Sequence, residues 1–275
     1  MIRLIATDLD DTLLDAGSDI TPRTLAALRA AMAAGCGISL SSGRMLEAML
    51  PFARRIGVNA PMLLYNGAWI YDHNTGETAW STRIPCALAV EIARTVEAMG
   101  MYVQTYPGEG YFCDEITDHT RAYAGQIHVE STPVHMPVSK WLEARGRDVL
   151  KLLVIDTPEG ADRAKAALER AFPKGAVFLK SKAHYVEIAP EGVDKGKSLL
   201  RLAEHLGLSR DEVMAFGDGQ NDAPMLAAAG TGVAVANACP EALAAADTVA
   251  PPNTEDGVAQ VIEAYLEQGK IGKSF

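Results

Sequence analysis

Asp8, Asp10 and Asp11 place three carboxylates within four residues, directly after the apolar run Ile2 to Ala6, which only Arg3 interrupts. Such a cluster at the end of a hydrophobic strand is costly unless it is solvated, protonated or neutralised by a cation. Two other polar groups follow apolar runs in the same way: Ser42 after Cys36 to Leu40, and Asp218 with Asp222 after Val213 to Phe216. Acids on two different strands, Asp8 and Asp218, can hold a hard divalent cation, and oxygen ligands with retained waters fit Mg2+. Ser42, with the amides of Gly43 and Arg44 and the helix start behind them, can bind phosphate oxygens. Lys195 can add a compensating charge. An ionised Asp8 can then attack phosphorus, while Asp10 can protonate the leaving oxygen and later activate water.

These groups can meet only if the chain carries several strand ends to one edge. The spacing predicts this. Residues 2–7 read as a strand, Thr21-Pro22 as a helix start that runs to Gly35, and residues 36–40 as a second strand. A helix to about Ile56 and a third apolar run, Pro61 to Tyr65, continue the alternation of a parallel α/β sheet. In open parallel sheets, ligands bind at the carboxyl ends of the strands.

The middle of the chain has a different pattern. Residues 84–100 read as a helix, residues 101–106 and 111–114 as a hairpin, and residues 126–148 carry no clear pattern. A strand at 151–155, a helix at 159–171 and a hairpin from 177–180 to 184–188 follow. Alternation returns at Gly196: a helix to Gly207, strands at 213–216 and 232–236 around a helix to Ala229, and a last helix at 257–268. The expected fold is α/β, a Rossmann-like parallel sheet core built from residues 1–83 and 190–275, with an inserted α+β module at 84–189.

Composition narrows the function classes. A chain of 275 residues with a net charge of −10 lacks the basic surface that nucleic acid or an anionic membrane would need. A small anionic substrate remains compatible, because one bound cation reverses the field of a pocket. Cys36, Cys86, Cys113 and Cys239 form no Cys-x-x-Cys pair, so free thiols in a reducing cytoplasm are expected rather than zinc or disulfides. No leader pattern opens the chain, and no apolar run nears the roughly 18 residues that would span a bilayer. Gly192 to Ser198 imitates a phosphate-binding P-loop but is one residue short of that motif.

Four motifs, in order, resemble those of the haloacid dehalogenase superfamily. Asp8-Leu9-Asp10-Asp11-Thr12 is similar to its first motif, and Leu40-Ser41-Ser42-Gly43-Arg44 to its second, where Thr-Gly-Arg is usual. Gly192-Val193-Asp194-Lys195-Gly196 resembles the third, and Gly217-Asp218-Gly219-Gln220-Asn221-Asp222 the fourth. Tyr65-Asn66-Gly67-Ala68, Asn237-Ala238 and the segment from Asn253 to Val258 resemble pieces of its Cof-type, sugar-phosphatase-like branch, and the insert resembles a C2-type cap.

The resemblance implies a role for each matching residue. Asp8 would be nucleophile and Mg2+ ligand. Asp10 would be the acid/base and a ligand through its carbonyl. Ser42, Gly43, Arg44, Asn66, Lys195 and Asn221 would bind phosphate, and Asp218 and Asp222 would complete the metal site. The expected activity is hydrolysis of a small phosphomonoester, a sugar phosphate or related metabolite, through an aspartyl-phosphate. A phosphomutase of the same superfamily and an inactive phosphometabolite sensor are the competing readings. Basic insert residues such as Arg121, Lys180 and Lys182 are candidates to meet a second anion. Neither the substrate nor the oligomeric state is legible.

Overall fold

The computed structural model describes residues 1–272, and they form two compact units. One comprises Met1–Gly43, Leu50–Ser81 and the chain from Asp194 onward; the other comprises Arg44–Met49 and Thr82–Val193.

Strand β1 (Leu4–Thr7) is wholly buried, as a strand covered on both faces must be. Helix α1 (Pro22–Ala33) starts where Thr21 caps it, its side chain accepting from the Thr24 N–H, with Pro22 at the first helical position. Strand β2 (Gly37–Leu40) and helix α2 (Leu46–Ile56) follow. The third apolar run gives β3 (Met62–Leu64), but β3 does not extend the parallel sheet as the alternation predicts. It pairs antiparallel with β4 (Trp69–Asp72), which pairs with β5 (Glu77–Ser81), and it meets the end of β2 through a single bridge from Ser41 to Leu63. The reason is local. Along the outer edge of β2 the Ile38 N–H is taken by Asn59 Oδ1 at 2.8 Å instead of a backbone carbonyl, so only separate backbone bonds, Ala60 N–H to the Ile38 carbonyl at 3.2 Å and Ser42 N–H to the Leu63 carbonyl at 2.9 Å, join the β3 segment to it.

The second unit holds α3 (Cys86–Ala98), β6 (Tyr102–Gly108), β7 (Gly110–Cys113), α4 (Asp118–Ile127), β8 (Thr132–Pro133), α5 (Val138–Arg145), β9 (Lys151–Ile155), α6 (Pro158–Ala171), β10 (Ala176–Lys182) and β11 (Tyr185–Pro190). Its six strands order as β10-β11-β9-β6-β7-β8, mostly antiparallel. Alternation decides its two faces. Val103, Leu152, Val154, Val186 and Ile188 pack with Val90, Leu142 and Leu168 of the helices in one apolar core. Each such side chain contributes about 2 kcal/mol by leaving water. The residues between them form a polar face, where Lys151 Nζ lies 3.5 Å from Glu187 Oε2 and 4.7 Å from the Tyr106 ring centre. The unpatterned stretch, residues 126–148, resolves into β8 and α5, and α4 lies almost wholly before it, where the sequence predicts no element; all three are short, with few apolar residues to mark them.

The chain then returns through α7 (Lys195–His205), β12 (Val213–Gly217), α8 (Ala223–Ala228), β13 (Thr231–Val235), α9 (Pro240–Ala245), β14 (Thr248–Ala250) and α10 (Gly257–Glu267). The five-stranded sheet has the order β14-β13-β12-β1-β2, parallel throughout. Leu4, Ala6, Val213 and Ala215 join Leu63, Ile70, Leu199, Leu202 and Met225 in the core of this unit, so the meander and the returning helices share one apolar interior. No described helix is long and apolar enough to cross a membrane.

Candidate active site

The strand order places β1 between β12 and β2, so the residues that follow these three strands share one edge. Pairing continues past the strand ends. The Asp8 N–H donates to the Phe216 carbonyl at 2.9 Å, the Ser41 N–H to the Thr7 carbonyl at 2.9 Å, and the Ser42 N–H to the Leu63 carbonyl at 2.9 Å. Asp8, Ser42 and the Asp218 loop are thereby carried to one edge by backbone alone.

Lys195 enters from the first residue of α7. Asp194 caps that helix by accepting the Lys197 N–H at 2.7 Å. Gly196 lets it sit against α8: a Cβ there would lie 2.2 Å from the Pro224 carbonyl oxygen. Lys195 Nζ, fully buried, donates to Asp8 Oδ1 at 2.6 Å, to Asp222 Oδ1 at 2.5 Å and to the Ser41 carbonyl at 3.3 Å. Three acceptors use all three donors of an ammonium group. Asp222 is as fully engaged: its Oδ2 accepts the N–H groups of Asp218 at 3.2 Å and Gly219 at 2.9 Å, closing the loop.

Electrostatics follow from burial and crowding. Burial pushes the Asp8 carboxyl well above the ordinary carboxylate range, helped by Asp222 and Asp218 and opposed by Lys195. Burial alone would lower Lys195, but Asp222 and Asp8 outweigh it and keep the ammonium protonated. Asp218 is raised to about 6, by burial first and by Asp222 and Asp11, against a hydrogen bond from Thr12 that lowers it. Carboxylate oxygens of Asp8, Asp218 and Asp222 lie within 4.8 Å of one another. Three acids facing one ammonium leave a deficit of positive charge, and an all-oxygen donor set of this kind suits a hard divalent cation.

Asn66 and Asn221 also come together. Asn66 occupies the left-handed region (φ 57°), its N–H donates to the Ser42 carbonyl at 2.9 Å, and its Oδ1 accepts Asn221 Nδ2 at 3.0 Å. A Cβ on Gly43 would touch the Asn66 amide at 3.2 Å. Gly67, at φ +94°, runs so close to α7 that a Cβ would lie 2.4 Å from Ser198 Oγ. Asp10 is exposed on the turn beside Asp11. Arg44 belongs to the second unit, on the Arg44–Met49 segment.

One residue of the first motif had no role in the sequence reading. Thr12 Oγ1, buried, donates to Asp218 Oδ1 at 2.6 Å and ties the first motif to the fourth. The signal was present as the threonine of that motif, but its partner lies 206 positions away. Arg121, Lys180 and Lys182, the candidates for a second anion, each have a protein partner: Asp118 at 2.8 Å, Asp162, and Gln126 Oε1 at 3.1 Å.

A parallel sheet that presents acids and a buried lysine at its carboxyl edge, with a mixed-sheet insert, defines a phosphomonoester hydrolase of the phosphatase kind. The family model for haloacid dehalogenase-like hydrolases matches residues 5–262, and the chain belongs to this family. It is 30% identical to pyridoxal phosphate phosphatase YbhA of Escherichia coli, over 96% of this chain and 98% of that protein. It is 29% identical to an HMP-PP phosphatase of Serratia proteamaculans, over 88% of this chain and 86% of that one. A haloacid dehalogenase-like hydrolase from Bacteroides thetaiotaomicron superposes with a TM-score of 0.88 at 28% identity, covering 96% of this chain and 99% of that chain.

Proposed function

We propose that this chain is a Mg2+-dependent phosphatase that removes phosphate from a small phosphorylated metabolite by way of a phosphoryl group on Asp8. The observation that carries this reading is the buried Lys195 bridging Asp8 and Asp222, with Asp218 alongside. Asp8, Asp218 and Asp222 offer the donors for the cation; bound there, Mg2+ would neutralise the crowded acids and draw negative charge from the phosphoryl group.

The residues of the chain divide the rest. Lys195 holds the Asp8 carboxylate and supplies a fixed positive charge to the phosphoryl oxygens. Ser42 contributes its hydroxyl from the end of the neighbouring strand β2, at the same edge, and Gly43, with Asn66 and Asn221, shapes the phosphate side. An Asp8 oxygen attacks phosphorus; the ester P–O bond breaks, and Asp10 gives its proton to the departing oxygen. Asp10, now ionised, takes a proton from water as the water oxygen attacks the same phosphorus. The bond to Asp8 breaks, inorganic phosphate leaves, and both carboxyl groups return to their starting states.

The names of the relatives support a small phosphorylated metabolite as substrate, with pyridoxal 5′-phosphate among the candidates; a sugar phosphate is the candidate the sequence motifs suggest. The test is phosphate release from a panel of such esters with Mg2+, run beside Asp8→Asn. Wild-type turnover that vanishes in Asp8→Asn is expected; turnover equal to wild type in that variant would overturn the reading.

A further inference from the structure

The loop after β1 is held by the distant C-terminal part of the chain. Asp11 sits at φ 56°, in the left-handed region that aspartate adopts more readily than most non-glycine residues. Its carbonyl accepts Asn237 Nδ2 at 2.7 Å. Asn237 Oδ1 accepts the Asn253 N–H at 3.0 Å, and Asn253 Nδ2 donates to the Leu14 carbonyl at 2.7 Å. Two asparagine side chains, linked through the Asn253 backbone N–H, thus clamp both ends of the segment from Asp11 to Leu14. Inside that segment Thr12 reaches Asp218. The turn that presents Asn237, between β13 and α9, also sends the Cys239 N–H to the Asp218 carbonyl at 2.8 Å. One turn therefore braces the loop that carries Asp10 and the loop that carries Asp218.

We propose that Asn237, backed by Asn253, is a positioning residue that holds the Asp10 loop in register with the Asp218 loop. This rests on the phosphatase reading above. Proton transfer and in-line attack depend steeply on placement, so a loosened loop slows turnover before it weakens binding. The Asn237 side chain is exposed, water competes for the Asp11 carbonyl, and a neutral hydrogen bond is modest in net terms. The expected effect is therefore roughly tenfold, not abolition.

The test uses the full chain with p-nitrophenyl phosphate and Mg2+, well below the melting temperature, for Asn237→Ala, Asn237→Asp, Asn253→Ala and the double alanine variant. Asn237→Asp keeps the acceptor for Asn253 but loses the donor to Asp11. Expected are an approximately tenfold fall in kcat with KM within about twofold for both Asn237 variants, and a double variant that loses less than the product of its singles. Hydrogen exchange of the Leu13 and Leu14 amides, which donate to the Leu9 carbonyl, should accelerate in the alanine variants. A lowered melting temperature with unchanged kcat would reduce Asn237 to a structural contact and overturn the proposal. Unchanged exchange at Leu13 and Leu14 would overturn it whether or not the wild type releases phosphate; a wild type with no turnover defeats the phosphatase reading instead.

Discussion

Lys195 Nζ lies 2.6 Å from Asp8 Oδ1 although 187 positions separate the two residues, and Asp222 Oδ1 lies 2.5 Å away on its other side. A protonated lysine without exposure is stable only because these two acids face it, and they are tolerated only because it is there. The triad is a charge arrangement that no apolar core would choose, which ties its presence to chemistry.

Lys195→Met should therefore be doubly damaging. It leaves Asp8, Asp222 and Asp218 facing one another without a cation. A loss of about 3–5 kcal/mol in urea unfolding is expected, from breaking a buried pair at one partner. Phosphate release should fall by more than about a thousandfold, more than loss of a single well-placed charge donor costs. Retention of wild-type stability would mean that the buried acids are neutral and that Lys195 is not their counter-charge.

Asp218 sets a pH signature in metal-free protein. Its carboxyl, ordinarily near 3.8, is raised to about 6 in the fold. The folded state then binds the proton more readily than the unfolded state, so the stabilising contribution of Asp218 is full below about pH 4 and is lost as pH rises through about 6. Asp218→Asn removes that decline. In EDTA its unfolding free energy should match wild type near pH 4 and exceed it at pH 7.5, by ~1 kcal/mol because the group is only partly buried and solvent screens it. A variant less stable than wild type at pH 7.5 would contradict this sign.

Cation binding should reverse the penalty in the wild type alone. Chelation is expected to abolish phosphate release and re-addition of Mg2+ to restore it. Mg2+ at about 100 times its dissociation constant should stabilise the wild type by about 2.7 kcal/mol in thermal unfolding. Asp218→Asn should gain far less. An equal Mg2+ shift in both would place the cation away from Asp218.

Gly67→Ala tests the seat of Asn66. The new Cβ would lie 2.4 Å from Ser198 Oγ and 2.6 Å from Ser198 Cβ, at φ +94°. Destabilisation of about 2–4 kcal/mol is expected from strain and overpacking together. Ser198→Gly in the same chain should recover the part due to the clash and leave the part due to φ. Full recovery would show that the left-handed backbone costs nothing here.

Cys36 is fully buried and burial pushes its thiol up to about 12, against a hydrogen bond that lowers it. Native protein at pH 8 should leave this thiol unmodified by a disulfide reagent, and urea should expose it. Rapid labelling of Cys36 in the folded state would place it in solvent.

Much of this molecule was legible in local signals. The Thr21 cap and Pro22 set the start of α1, and short apolar runs marked β1, β2 and β12 because strands buried on both faces need continuous hydrophobicity. The strands of the second unit's hairpins were marked by their flanking glycines and alternation. Elements with weak local patterns were not legible. Strand β14 is three residues long at a sheet edge with two exposed side chains, α9 is a single short alanine-rich turn pair, and β4 and β5 follow a run that looks like a connection.

The sequence by itself determined which chemistry the chain can attempt. Its carboxylates, its second-motif serine and its lysine follow strand ends or open helices, and those placements are set by neighbours a few residues away. Tertiary structure decided who touches whom. Thr12 on Asp218, Lys195 between Asp8 and Asp222, and Asn237 on the Asp11 carbonyl join positions 27 to 226 residues apart. Contacts at such separations are fixed by strand order and by the close packing of α7 on α8, and neither leaves a periodic trace in the residues that make them. The loose attachment of β3 to the parallel sheet is likewise tertiary: Asn59 Oδ1 takes the Ile38 N–H at the edge of β2, a contact that exists only once the strand does.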